Sequence, residues 1–297
     1  QIIFCKMRIL VIGGNGLLGS ACLRLFNKTD GIKVVGTFRS KYDEKQFSHS
    51  ADQHYFLSDI LDYRNLSDLF EKLRPTVVIN CVSVAKSIIS EGKVSELIPI
   101  YSVVPHVLAE LCMNYSSRLI HISSDGVFSG SKGNYLEEDV PDAIDLYGRS
   151  KLLGEVMYGD TITLRTSLIG HDIGGQNGLV NWLISQKGIC SGFPKVIFSG
   201  FPVIFLAQII RDNILPNPEL KGIYHVASDP ISKYDLLRLI SDIYSIKVEI
   251  RPDYSININR SLNASKLNEA TAFISPSWPE LIRIMHDDFL NSINKEF

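Results

Sequence analysis

Two hydrophobic periods alternate along the chain. Short β-branched apolar runs are each followed by a segment whose apolar residues recur at helical spacing. Arg8–Ile12 reads as a strand ending in glycines, and Leu17–Phe26 as the helix after it. Lys33–Phe38 and Tyr55–Leu57 read as the second and third strands. Asn65–Leu73 reads as a helix with Leu66, Leu69, Phe70 and Leu73 on one face. Thr76–Asn80 reads as a strand, Ser95–Tyr115 as a long helix and Arg118–Ser123 as a strand. Tyr147–Tyr158 then reads as a helix and Thr161–Thr166 as a strand. Pro99 and Pro105 leave open where the long helix starts and whether it is straight.

The strands are apolar throughout rather than on alternate positions, which predicts burial on both faces of a parallel sheet. The fold class is therefore α/β, a Rossmann-type doubly wound parallel sheet. After Gly170 the pattern breaks into punctuated segments, including Gly174–Gly178 and Ser199–Pro202. Helical periodicity returns at Ala207–Ile214, Lys233–Tyr244 and Pro279–Ile293. Residues 7–169 form the expected sheet domain. Residues 170–297 form a smaller C-terminal lobe that does not fold independently, with the chain free to cross back.

Composition narrows the function classes. The 297 residues are 45% hydrophobic and 21% charged, with a formal charge of −2, which fits a folded globular chain. A near-neutral balance speaks against a nucleic-acid partner or an acidic membrane surface. No uninterrupted apolar run reaches the ~20 residues of a membrane span. The Leu97–Leu108 stretch contains Pro99, Ser102, Pro105 and His106. The five cysteines are odd in number and lack CxxC spacing, so reduced, buried thiols in a cytoplasmic protein are expected. The N-terminal residues show no secretory h-region, and Met7 is expected to open the fold. The acidic run Glu137-Glu138-Asp139 reads as a solvated loop, and no metal site is expected.

Candidate chemistry begins at Gly13-Gly14-Asn15-Gly16-Leu17-Leu18-Gly19, between the first strand and the first helix. Glycines there permit a tight turn and bring backbone N–H groups and the helix N-terminus up to a pyrophosphate. Gly13, Asn15, Gly16, Leu17, Leu18 and Gly19 are the expected dinucleotide contacts. An NAD site usually carries an acid at the end of the second strand. Here the segment reads Gly36-Thr37-Phe38-Arg39-Ser40-Lys41, and Arg39 and Lys41 suit a 2′-phosphate. NADPH is therefore the expected cofactor, with NADH possible. Asp59 serves either the adenine amino group or the cap of the next helix. Ile60 and Cys81, just past strand ends, complete the expected cofactor set.

Ser123-Ser124-Asp125 closes a strand, and Tyr147-Gly148-Arg149-Ser150-Lys151 lies on the next helix. Tyr147 and Lys151 at i and i+4 share one face. The ammonium of Lys151 is expected to draw the Tyr147 phenol down from its usual ~10, making it a usable general acid. Lys151 also suits the nicotinamide ribose, and Ser124 suits a substrate carbonyl.

These residues resemble the extended short-chain dehydrogenase/reductase superfamily, and within it the dTDP-4-dehydrorhamnose reductases. The landmarks are GGNGLLG at 13–19, VVIN at 77–80, HISSDGVF at 121–128 and YLEEDVPDAIDLYGRSKLLGE at 135–155. LRTSLIG at 164–170, SGFP at 199–202, RSLNASKL at 260–267 and SW at 277–278 follow. The resemblance implies hydride transfer from NADPH to the 4-keto group of a nucleotide-activated 6-deoxysugar, for a surface polysaccharide. It implies catalytic roles for Ser124, Asp125, Tyr147 and Lys151, and a nucleotide-sugar near Asn177, Asn181, Phe201 and Arg260. A homodimer is a family expectation. Related dehydratases carry Asp-Glu where this chain has Asp125-Gly126, which speaks against dehydration. The chain departs from the family at Tyr101-Ser102-Val103, where an Asn is usual, and at Gly126, where an aromatic is common. It departs again at Cys81–Lys86, where small residues and an acidic helix start are usual.

Two other functions share this frame. A 4-epimerase uses the same Tyr and Lys with retained NAD⁺. A cofactor-bound regulatory subunit, like the β subunit of methionine adenosyltransferase, uses the fold without turnover.

Overall fold

The computed structural model of the chain describes residues 7–39, 54–84, 94–172 and 178–293. Alternating strands and helices build the first part: β1 Met7–Ile12, α1 Leu17–Phe26, β2 Ile32–Phe38, β3 His54–Phe56, α2 Tyr63–Leu73 and β4 Val77–Asn80. A long helix α3, Val94–Asn114, then leads to β5 Arg118–Ile122, α4 Leu146–Leu153 and β6 Thr161–Arg165. The short strand β7 is Leu168–Ile169, followed by α5 Leu179–Ser185, β8 Gly188–Gly192, β9 Val196–Phe198 and β10 Phe201–Pro202. Helix α6 begins at Val203–Ile209 and continues through a π turn, Ile210–Ile214. The chain ends with β11 Gly222–His225, β12 Ile231–Ser232, α7 Lys233–Ile243, β13 Val248–Pro252, β14 Ile258–Asn259, α8 Ser265–Thr271 and α9 Trp278–Ile293.

The main sheet has seven strands in the order β11-β6-β5-β4-β1-β2-β3. Every pairing in it is parallel. Chain order reverses between β1 and β4, which opens a crevice at the carboxyl edge. Along β1 the side chains alternate between two cores. Ile9 and Val11 join Leu18, Leu23, Phe26 and the α6 and α9 residues on one face. Leu10 and Ile12 join Leu66, Phe70, Val104 and Leu108 on the other.

Helix α3 starts at Val94, one residue before the expected Ser95, and runs on through both prolines. The 21 residues form one helix, with Pro99 at the start of an internal π turn, Pro99–Val103, and Pro105 in the first turn beyond it. By length and composition it is apolar enough to cross a membrane, and Leu97, Tyr101, Val104, Leu108 and Cys112 are buried in this fold. Helix α4 stops at Leu153, short of the expected Tyr158, with Gly154 at its C-cap and Glu155 buried just beyond. Its carboxylate accepts from Ser123 Oγ (2.7 Å) and from Arg165 Nε and Nη2 (2.8 Å each) in a buried ion pair. Cys22, Cys81, Cys112 and Cys190 are free and buried. Cys5 lies outside the described residues.

Candidate active site

The glycine loop turns as its residues require. Gly13 has φ +86°, and its N–H donates to Thr37 Oγ1 at 3.0 Å. Gly14 N–H donates to the Thr37 carbonyl at 2.9 Å, tying the loop to β2. A Cβ on Gly19 would lie 2.1 Å from the Gly13 carbonyl oxygen, so only glycine lets α1 start this close to β1. Gly16 caps α1 in an extended conformation with no side-chain bond to the helix. Asn15 and Leu17 are half-buried at the loop tip, whereas Leu18 is in the core. A helix start with no side-chain cap behind a glycine-rich turn fits a dinucleotide pyrophosphate. Cys81 is buried opposite, donating its N–H to the Ile12 carbonyl at 3.0 Å.

Arg39 is exposed just past β2, at the edge where an adenosine ribose would lie. Lys41 lies outside the described residues. Asp59 is exposed and accepts from Leu61 N–H at 2.8 Å, closing a local turn. The cap of α2 is Asp62, which accepts from the N–H groups of Arg64 and Asn65. Ile60 is half-buried beside the α2 core.

The catalytic candidates meet across two elements. Ser124 is extended at the end of β5 and caps the short turn Asp125–Val127, its Oγ accepting from Gly126 N–H at 3.0 Å. That Oγ donates to Asp125 Oδ1 at 3.2 Å. Helix α4, capped by Asp145, brings Tyr147 over this turn, where a Cβ on Gly126 would stand 2.9 Å from Tyr147 Cε1. Lys151 is buried, and its Nζ donates to the Ile122 carbonyl at 2.9 Å.

The electrostatics correct one expectation. Burial pushes the Tyr147 phenol above its ordinary range, opposed by a hydrogen bond to Ser124. Lys151 does not draw it down. Its ammonium is committed to Ile122 and lies 4.7 Å above the ring of Tyr101. Burial lowers Lys151 itself to about 8, with Cys81 and Glu155 pulling the other way. Burial likewise raises Asp125, against the opposing charges of Arg260 and Lys233 and hydrogen bonds from Ser124 and Ser167.

The later candidates divide. Arg260 is half-buried, 3.7 Å from Asp145, and its charge reaches Asp125. Asn181 lies on α5, where its amide donates to the Asp172 carbonyl at 3.1 Å and accepts from the Asp172 N–H at 3.3 Å. Phe201 corrects the expectation of a substrate contact: it is 0% exposed and packs against Phe205 and Phe273 in the core. Asn177 lies outside the described residues. Tyr101, Ser167 and Lys233 complete the neighbourhood, and none follows a recognisable spacing from Tyr147.

The parallel sheet, glycine loop and Ser-Tyr-Lys arrangement define the class: an extended short-chain dehydrogenase/reductase. The family model described as the RmlD substrate binding domain matches residues 7–182, and the chain belongs to that family. Methionine adenosyltransferase 2 subunit beta of Xenopus tropicalis is 26% identical over 260 residues, covering 80% of this chain and 72% of that protein. The probable low-salt glycan biosynthesis reductase Agl14 of Haloferax volcanii is 32% identical over 231 residues, 75% of each chain. A hypothetical dTDP-4-dehydrorhamnose reductase from Sulfolobus tokodaii superposes with a TM-score of 0.74 at 26% identity, covering 92% of this chain and 98% of its own. The dTDP-4-dehydrorhamnose reductase of Bacillus anthracis, solved with NADP, superposes with a TM-score of 0.76 at 21% identity, covering 95% and 99%.

Proposed function

We propose that this protein is a cytoplasmic reductase that uses NADPH to reduce the 4-keto group of a nucleotide-activated 6-deoxysugar, for a surface polysaccharide. The observation that carries this reading is the convergence of Ser124, Asp125, Tyr147 and Lys151 at the same carboxyl edge as the glycine loop. The family, the reductase named among its relatives and the NADP-bound structural neighbour support it.

NADPH supplies the hydride when bound. The loop from Gly13 to Gly19 and the start of α1 would hold its pyrophosphate, Arg39 its 2′-phosphate and Lys151 its ribose hydroxyls. Ser124 Oγ orients the substrate carbonyl. Tyr147 gives its proton to the carbonyl oxygen as charge develops there. Burial keeps the phenol protonated until that moment, so it stands ready as an acid at neutral pH. Lys151, charged below about 8 and anchored on the Ile122 carbonyl, keeps a positive charge at the site for the cofactor ribose. Asp125, facing Arg260 and Lys233, shapes the polar side of the sugar pocket in the lobe beyond residue 170.

The test is consumption of NADPH against a panel of dTDP-, UDP-, GDP- and CDP-linked 4-keto-6-deoxysugars. At least one is expected to be reduced. The methionine adenosyltransferase relatives favour a second reading, a cofactor-bound regulatory subunit. Tight NADPH binding, no turnover across the panel and stable capture of a partner enzyme would select it.

A further inference from the structure

Tyr101 stands where three parts of the site touch. It lies inside the π turn of α3 and is 2% exposed. Its ring meets the Tyr147 ring edge-on, with centroids 5.5 Å apart and planes at 90°. The Lys151 ammonium lies 4.7 Å from the centroid of the same ring. Its hydroxyl accepts from Val84 N–H at 2.8 Å and donates to the Val84 carbonyl at 3.3 Å. The segment after β4, which begins beside the glycine loop at Cys81, is thereby pinned to the catalytic pair.

The backbone is shaped for this placement. The π turn seats the consecutive residues Tyr101 and Ser102 against α4. Ser102 Oγ donates to the Ser150 carbonyl at 3.1 Å. On the other side, Gly154 ends α4, and a Cβ there would lie 1.9 Å from the Tyr101 carbonyl oxygen.

We infer that Tyr101 is a positioning residue for the proposed reductase: its ring packs against both the Lys151 ammonium and the Tyr147 ring, and its hydroxyl fixes the cofactor-side segment at Val84. The inference rests on the functional reading for its role in turnover and on geometry alone for its hold on Lys151. The ammonium has three N–H donors. One goes to Ile122 and one side rests on the aromatic face, which leaves the remaining direction for a ribose hydroxyl or the phenol. The other ionisable groups acting on Lys151 are Cys81 after β4, Glu155 after α4 and His121 on β5. Tyr101 adds an attraction that costs no second buried charge.

The experiment is a lysine ¹³Cε NMR titration of the full chain, with Lys151→Ala identifying the resonance. Wild type is expected to titrate near 8. Tyr101→Leu, which removes the ring, should move the midpoint down by about half to one and a half pH units. Tyr101→Met, of closer volume, replaces it where the leucine variant does not fold. Tyr101→Phe keeps the ring and should titrate like wild type, while losing the Val84 clamp and weakening NADPH binding about three- to tenfold. A ring-deleted variant titrating at or above wild type would overturn the inference, as would Tyr101→Phe shifting as far as Tyr101→Leu. A wild type that reduces no sugar would instead remove the reductase reading and leave the titration result standing.

Discussion

Gly148 on α4 and Gly126 beyond β5 meet backbone to backbone: a Cβ on Gly148 would lie 2.2 Å from the Gly126 carbonyl oxygen and 2.6 Å from Ala143 Cβ. This contact brings Tyr147 down onto the Ser124 turn. Replacing a helical glycine by alanine ordinarily stabilises by about 1 kcal/mol. Here overpacking costs about 1–3 kcal/mol and reverses the sign. Gly148→Ala should therefore unfold at a lower temperature than wild type and lose turnover, because α4 must retreat from Ser124. Thermal unfolding with parallel kinetics checks both; a more stable, fully active variant would show that the contact is slack.

Cofactor choice should follow Arg39. A charge-assisted bond to a 2′-phosphate contributes about 1.5–3 kcal/mol, or one to two decades in affinity. Wild type is expected to bind NADPH over NADH by about that margin, and Arg39→Ala to lose the preference by weakening NADPH alone. Fluorescence titration of both cofactors reads it. An unchanged ratio would move the preference to another residue.

Acid sensitivity should be traceable to His225. The ring is 0% exposed; Nδ1 donates to the Tyr135 carbonyl at 3.0 Å, and Nε2 faces Arg165 Nη1 at 3.4 Å. A second proton would have to enter against that guanidinium, and burial with Arg165 holds the ring down to about 4, against 6.5 unfolded. The folded value is depressed, so the unfolded chain binds more protons between these limits. Stability is full above about 6.5 and is lost as pH falls toward 4. The loss from this group is about 2 kcal/mol by pH 5. Denaturant unfolding at pH 7 and pH 5 should show His225→Asn losing about that much less than wild type. Equal losses would assign the acid limb elsewhere.

Most of the sheet was legible because its strands are buried on both faces. Residues 9–12 and 77–79 are apolar and buried at every position, with no polar face to confuse with a helix, and α1 matches its periodicity at both ends. Strand β11 carries no such signal, because its first three residues are only partly buried; pairing with β6, not local pattern, makes it the seventh strand. The glycine loop, Ser124, Tyr147 and Lys151 were legible because close approach and helical spacing restrict residue type. Tyr101 was visible only as a departure, since its role depends on a π turn that propensity does not encode. Phe201 was misread because an aromatic beside a glycine fits a ligand pocket and a core equally well; only burial separates them.

The central claim is that Tyr147 supplies the proton while NADPH supplies the hydride. The most direct measurement uses NADPH deuterated at the transferred position with the 4-keto-6-deoxysugar that wild type accepts, and counts deuterium at the product's C4 by mass spectrometry. Wild type is expected to place one deuterium in each product molecule. Tyr147→Phe should bind the cofactor normally and transfer deuterium about 10²–10⁴ times more slowly, the loss expected for a missing general acid. Product without deuterium, or a Tyr147→Phe variant as fast as wild type, would contradict the account.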